Sequence, residues 1–285
     1  MVTFLETQDA AVRLKGLKVI KSTQSAKQKI DIYVHPVLGK CLVLNGELHH
    51  VEAWQSLYHE PLVHLPTSFI PEIKTALVLG GGCLFAAHEI LKYRGVKRID
   101  LIEYDNAVID TMHEHYSHAN SILNDKRFNL IIADARCVFH DWDEQYDLII
   151  NDCFDLSREN IDKKLTAYEA LENLLSREGL CGDVVYRHIF EKRTVQESLR
   201  ALAQRRRTAF SLIAIPEYPG ILHLLTVWGR NRYLKQESKI IRNKIQRRYM
   251  LSGKGIEFDF YDPRHRSFYL FIPPYLKRSL SQAAI

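Results

Sequence analysis

The sequence predicts a doubly wound α/β sheet preceded by a small antiparallel β unit, and three observations carry that expectation. Five short apolar runs between residues 75 and 186 alternate with stretches of helical periodicity. Three consecutive glycines, Gly80, Gly81 and Gly82, stand where the first of those runs passes into a helix. An Asn45-Gly46 pair divides an alternating apolar pattern near the start of the chain.

Up to about residue 55 the pattern is strand-like. "KIDIYVH" (29–35) alternates, and "KCLVLNGELHHVEAW" (40–54) reads as two strands about Asn45-Gly46, a pair suited to a two-residue hairpin loop because both positions tolerate positive φ. From Tyr58 the rhythm changes, so the expected units are 1–57, a β-strand domain, and 58–285, the sheet-and-helix domain. "TALVLG" (75–80), "RIDLIEYD" (98–105), "FNLIIADA" (128–135), "YDLIIND" (146–152) and "LCGDVVY" (180–186) are continuous apolar runs, as expected of strands covered on both faces. Helical spacing fills the intervals at 85–95, 106–120 and 164–179. The late runs 210–218 and 221–229, separated by Pro219-Gly220, predict an antiparallel edge.

Composition narrows the classes. The chain has 285 residues, 46% of them hydrophobic and 26% charged, enough apolar material for a globular core. Cys41, Cys83, Cys137, Cys153 and Cys181 are odd in number and form no C-x-x-C pair, which argues against a disulfide framework or a zinc site and for a reducing compartment. No signal peptide or apolar span stands out, so a cytoplasmic protein with no membrane partner is expected. Net charge is only +5, and the basic stretch 229–255 carries Ile240, Ile241, Ile245 and Met250 at helical spacing. That pattern reads as a helix with one solvated face, and no nucleic-acid partner is expected. His113, His115 and His118 lack a cysteine or acidic partner and read as solvated surface, and His49 and His50 must face opposite sides of a strand. No metal site is expected.

Ligands of open parallel sheets bind beyond the carboxyl ends of the strands. Here those ends carry, in order, the glycine turn, Glu103 with Asp105, Asp134, and Asp152 with Asp155. Glu103 follows the glycine turn by about 20 residues, the distance at which an acid accepts hydrogen bonds from both ribose hydroxyls. Phe85 occupies the third-glycine position of G-x-G-x-x-G, which demotes a pyrophosphate-bearing dinucleotide, and Asp134 is placed to accept from an adenine amino group. Together these tips predict a nucleoside site.

"SAKQKIDIY", "LVLNGELHHVEAWQSLYHEPLVHLP", "LVLGGG", "DLIEYDNAVID", "IIADA", "YDLIINDCFDL", "PEYPG" and "FYDPRHRSFYLFIPPYL" occur in this order, and the chain that carries them resembles the spermidine synthase or polyamine aminopropyltransferase family. The resemblance implies a Rossmann-like sheet of the methyltransferase type and a homodimer or higher homo-oligomer. It implies an enzyme transferring an aminopropyl group from decarboxylated S-adenosylmethionine, bound as a co-substrate and not as a resident cofactor, to a diamine such as putrescine. By position it implies that Gln28, His59, Gly80, Gly81, Gly82, Cys83, Glu103, Asp134 and Ala135 hold the nucleoside donor. Asp152 would assist amine deprotonation, and Tyr58, Asp155 and Tyr218 would line the polyamine slot.

The chain departs from that family's pattern at three places. Cys83 stands where an aspartate is expected to pair with the donor's aminopropyl ammonium, a charge-assisted bond worth about 1.5–3 kcal/mol. Trp54 and Gln55 replace an acidic pair, and Cys153, Phe154 and Leu156 replace small polar residues and a proline. Three readings follow: an aminopropyltransferase of divergent substrate choice, an enzyme using intact S-adenosylmethionine such as a methyltransferase, and a binding protein that keeps the fold without turnover. Cys83 itself reads as a space-filling buried thiol in preference to a reactive thiolate at a helix start.

Overall fold

The computed structural model describes residues 2–5, 11–139, 142–154, 161–187, 202, 207–218, 222–230, 234, 257–274 and 277–278. Asp155, Leu156, the Pro219-Gly220 pair and most of the basic stretch 229–255 lie outside the described residues.

The front of the chain forms two antiparallel sheets. β1 (Val2–Leu5) pairs with β2 (Ala11–Leu14), and β3 (Lys18–Gln24), β4 (Lys29–His35), β5 (Gly39–Leu44) and β6 (Glu47–Val51) make a four-stranded meander. Asn45 (φ 51°) and Gly46 (φ 84°) both take positive φ at the β5–β6 turn, the mirror-image turn whose twist matches paired strands. α1 (Gln55–Thr67) follows, with every residue from His59 to Thr67 buried. Gly182 allows its close approach to the large sheet, since a Cβ there would lie 2.7 Å from the Leu62 carbonyl oxygen.

The large sheet has seven strands in the order β12-β13-β11-β10-β7-β8-β9. They are β7 (Thr75–Gly80), β8 (Arg98–Glu103), β9 (Phe128–Ile132), β10 (Tyr146–Asp152), β11 (Leu175–Arg187), β12 (Arg207–Ala214) and β13 (Leu222–Gly229). The five strands β9, β8, β7, β10 and β11, neighbours in that order, run parallel, whereas β13 runs antiparallel to both β11 and β12, the edge the sequence predicts. Alternate residues feed two cores: Ala76, Val78, Leu148 and Ile150 on one face, Leu77, Leu79 and Ile149 on the other. The chain leaves β7 toward β8 and β9, then returns to the opposite side through β10. The β7/β10 boundary is therefore the switch point, where a crevice opens beyond the strand ends, and Gly80 and Asp152 are register partners there.

α2 (Phe85–Leu91), α3 (Asn106–His115), α4 (Ser117–Leu123) and α5 (Ile161–Asn173) occupy the connections. Two of the expected helices end differently. The 106–120 stretch is broken at Tyr116, which adopts an extended conformation (φ −120°, ψ 122°) and buries its ring. The 164–179 stretch ends at Asn173, and its Leu175–Gly179 tail joins β11 across an irregularity in register. A buried polar network ties α1 to α2: His64 reaches Glu89 (2.8 Å) and the Tyr93 hydroxyl (2.7 Å), and Lys92 caps Glu89 (2.6 Å). The C-terminal segment is fastened to the same helix, because Glu60 accepts the backbone N–H groups of Asp259, Phe260 and Tyr261.

Candidate active site

The glycine turn is built by sterics. Gly80 (φ +73°) faces Cys153, whose Cβ would lie 2.4 Å from any Cβ added there, and Gly81 (φ +75°) lies beside Asp152. At Gly82 an added Cβ would meet Glu103 Oε2 at 2.7 Å. The absent side chains thus let the acids of β8 and β10 approach the turn. Leu84 also holds a left-handed conformation (φ 66°), fixed by its N–H donating to the Gly81 carbonyl (2.8 Å) and by complete burial of its side chain.

Glu103 ends β8, buried, with Oε1 accepting the Asp105 N–H at 2.9 Å. Burial raises its carboxyl pKa, and the surrounding backbone N–H groups oppose that rise. Asp105 caps α3 through the Ala107 N–H and accepts from Ser25 Oγ (2.6 Å) and Gln28 Nε2 (3.1 Å). Gln28 therefore reaches from the β3–β4 turn to the tip of β8 and joins the front sheet to the crevice. Asp134 lies beyond β9, half-buried, clasped by the Arg136 guanidinium, which lowers its carboxyl to about 2. Ala135 beside it is buried. Cys153, although solvent-exposed by surface area, sits among crowded groups, and that desolvation with the negative field of Asp152, Glu103, Asp134 and Asp183 pushes its thiol up. The acids at the tips of β8, β9 and β10 thus share one electrostatic neighbourhood around Cys153.

On the other side of the turn, the Tyr58 hydroxyl donates to Asp152 Oδ1 at 2.6 Å. Burial raises the Asp152 carboxyl to about 7, and the Tyr58 hydrogen bond limits the rise. His59 donates from Nδ1 to the Gln55 carbonyl (3.0 Å), which turns Nε2 toward Cys83 Sγ at 3.5 Å. Burial lowers this imidazole to about 4, so it is neutral near pH 7. The Cys83 thiol is pushed up by burial and by Asp152, in keeping with the space-filling reading and against a thiolate.

A cleft of about 320 Å³ opens in front of Asp152, lined among others by Tyr58, His59, Tyr218, His50, Glu217 and His223. Tyr218 packs against His223 at a ring separation of 5.1 Å. Glu217, 5% exposed, is a further acid in this cleft, beside Asp152 and Glu47. Burial raises it to about 7, while its own N–H and that of Val51 stabilise the charge; Oε2 has no hydrogen-bond partner among the described residues.

Glu217, His50 and His223 are functional candidates that the sequence pattern alone does not mark. Glu217 adjoins Tyr218 within "PEYPG", and that adjacency is the available signal. His50 is buried against the Phe85 ring at 4.3 Å and lines the cleft, which goes beyond a purely structural placement. His118 also departs from the solvated-surface expectation. The break at Tyr116 turns it inward, so that Nε2 lies 3.0 Å from the Cys83 carbonyl oxygen and the ring 3.9 Å from Phe85. The fold also gathers donor atoms of His59, Cys83 and Asp152 within 4.8 Å of one another. Asp155, expected in the slot, is outside the described residues.

Residues 55–238 match the spermine/spermidine synthase domain family. Among curated relatives, a polyamine aminopropyltransferase of Lachnospira eligens is 34% identical over 180 residues, covering 60% of this chain and 59% of that protein. A putrescine N-methyltransferase 2 of Nicotiana attenuata is 34% identical over 146 residues, covering 51% of this chain and 39% of that one. The matches to the first of these relatives span 59% or about half of their length. The crystal structure of spermidine synthase from Thermotoga maritima superposes with a TM-score of 0.78 at 22% identity, covering 92% of this chain and 87% of that one, a likeness of fold.

Proposed function

Because the chain belongs to the spermine/spermidine synthase family, we propose that it transfers an aminopropyl group from decarboxylated S-adenosylmethionine to a diamine such as putrescine, giving a polyamine such as spermidine. The observation that carries this reading is the Tyr58–Asp152 pair, 2.6 Å apart at the switch point, with the carboxyl held near pH 7. An alkylammonium has a pKa near 10, so the nucleophile arrives as a cation without a lone pair. It must be bound, deprotonated and aimed. A carboxylate poised near neutrality accepts that proton more readily than an ordinary, far more acidic one.

In this reading Glu103 receives the ribose hydroxyls, Gly80, Gly81 and Gly82 leave room for the donor, and Gln28 and His59 flank it. Asp134 and Ala135 take the adenine, which requires Asp134 to share or release Arg136. The amine nitrogen forms its bond to the carbon next to sulfur, the C–S bond breaks, and the electron pair stays on sulfur as a neutral thioether. Asp152 takes the ammonium proton, while Tyr58, Tyr218, Glu217 and Asp155 orient the acceptor. The sulfonium supplies its own leaving group, so positioning and local charge are the protein's share of the work. We further propose that residues 1–57 form the accessory β unit and 58–285 the catalytic unit, and that the protein works in the cytoplasm as a homodimer. Its five free cysteines fit a reducing compartment.

A second reading is favoured by Cys83. A neutral thiol replaces the aspartate that would pair with the aminopropyl ammonium, and its absence also removes repulsion toward the carboxylate that intact S-adenosylmethionine retains. Methyl transfer to the same diamine would then use the same base, and the 34% identity to a putrescine N-methyltransferase 2 supports it. Incubation with putrescine and each donor separately, followed by mass spectrometry of the amine product, decides between them. An aminopropyl adduct formed only from the decarboxylated donor supports the first reading. A methyl adduct from the intact donor replaces it with the second, and no adduct with either refutes both.

A further inference from the structure

We propose that His59, Cys83 and Asp152 form a three-donor site for a thiophilic divalent cation of the zinc type. The donors come from three elements that meet at the switch point: α1, the glycine turn and the tip of β10. Their ligand atoms lie within 4.8 Å of one another. The Cys83 Sγ to His59 Nε2 separation is 3.5 Å. Tetrahedral zinc with Zn–S near 2.3 Å and Zn–N near 2.05 Å spaces those atoms at about 3.6 Å, so this pair already has the required bite.

The histidine is also prepared. Its Nδ1–H donates to the Gln55 carbonyl at 3.0 Å, the arrangement that fixes tautomer and ring orientation in metal-bound imidazoles and leaves Nε2 as the ligand atom. On the carboxylate, Tyr58 occupies Oδ1. Oδ2 faces Gly81, where a Cβ would lie only 3.1 Å away, so the glycine keeps that oxygen accessible. The set combines sulfur, imidazole and one carboxylate, which selects zinc over magnesium or calcium. His59 and Asp152 line the cleft, the side from which a fourth, exchangeable ligand would enter, as in zinc sites that keep one position open. An S–H···N hydrogen bond accounts for the 3.5 Å distance by itself; it is the further approach of Asp152 to both that makes the trio a ligand set.

Binding requires Cys83 to lose its proton to solvent, and Asp152 to lose any proton it carries, so one to two protons are released per ion. If Asp152 is the base of the proposed transfer, ion and acceptor amine compete for it.

The test is calorimetric titration of the full chain with zinc in two buffers of different ionisation heat, with cobalt absorption as a second probe. The expected result is one ion per chain, release of at least one proton, and a thiolate-to-cobalt charge-transfer band. Cys83→Ser and His59→Gln should each weaken binding at least tenfold, since loss of even an outer partner costs about 10–100-fold. Cys137→Ser, at an exposed thiol outside the cluster, should leave it unchanged. Absence of saturable binding, absence of the thiolate band, or less than tenfold weakening in either cluster variant overturns the site. Because the ion is the readout, failed amine transfer with intact ion binding removes only the proposed function, and transfer without ion binding removes only this site.

Discussion

Replacing Asp152 by asparagine tests the central piece of chemistry with two independent readouts. The carboxyl is raised from 3.8 to about 7 by burial. A tenfold change in acidity is worth about 1.36 kcal/mol, so keeping this group ionised in the folded protein costs at most about 4 kcal/mol. Solvent in the open cleft screens part of that, leaving roughly 1–3 kcal/mol. The folded pKa lies above the unfolded one, so between pH 4 and 7 the folded state holds a proton that the unfolded chain has lost. Asp152 therefore imposes no cost below about pH 4, and its full cost appears as pH rises through 7. An asparagine at this position never ionises, yet its side-chain oxygen still accepts from Tyr58. The Asp152→Asn variant should thus gain stability relative to the parent as pH rises from 4 to 9, by roughly 2–4 °C in Tm per kcal/mol for domains approaching this size. Its turnover with the best amine should fall about 10²–10⁴-fold, the usual share of a general base. In the parent, kcat/KM should rise with pH through an apparent pKa near 7. In the variant only the limb set by the amine, near 10, should remain. Parallel Tm curves from pH 4 to 9 refute the buried-charge argument, and a variant that keeps the limb near 7 refutes Asp152 as the base.

Two further outcomes follow from named contacts. Glu217→Gln removes a buried charge whose Oε2 has no partner among the described residues; it should weaken diamine binding by about 10–100-fold, from the 1.5–3 kcal/mol of a charge-assisted bond. Binding of a monoamine of equal length should change much less, as calorimetry with both amines reads directly, and equal losses would place Glu217 outside the acceptor slot. Gly80→Ala should cost at least about 1–3 kcal/mol in denaturant unfolding through its left-handed backbone alone, and more through the 2.4 Å approach to Cys153 Cβ. Adding Cys153→Ala to that variant removes only the sulfur and leaves the Cβ contact, so substantial recovery would show that the clash is not where the geometry puts it.

What is readable in the sequence follows from what each element must bury. β7, β8 and β10 are covered on both faces, so short apolar runs mark them, broken only by Asp100 in β8 and Asp147 in β10, and the runs end close to where the strands end. α1 lacks such a signature: nine successive residues, from His59 to Thr67, are buried, two of them prolines, so no polar face marks a helical period. The break at Tyr116 is hidden for a related reason, since its cause is tertiary burial of one ring in a stretch whose local spacing is helical throughout. Within the site, Tyr58, Glu103 and Asp152 are legible because they sit at strand ends or in recognisable stretches. Glu217 and His50 cannot be ranked without knowing that strand β6 and the turn after β12 close on one cleft.

Cys83 combines the two cases. Its identity is visible in the sequence as a missing aspartate, but its meaning depends on His59, which lies 24 residues earlier and 3.5 Å away. The neighbouring changes belong with it. Phe85 fills the position of a glycine and packs on His50, His59, Tyr116 and His118, with ring separations from 3.9 to 6.4 Å. Leu84, buried and left-handed, closes the same turn. A carboxylate restored at position 83 would meet a neutral imidazole and Asp152, two groups that would raise its pKa instead of holding its charge. The loss of the acid and the aromatic packing around it therefore act as one unit, and the charge this turn presents to the crevice is a property of the whole turn, not of one residue.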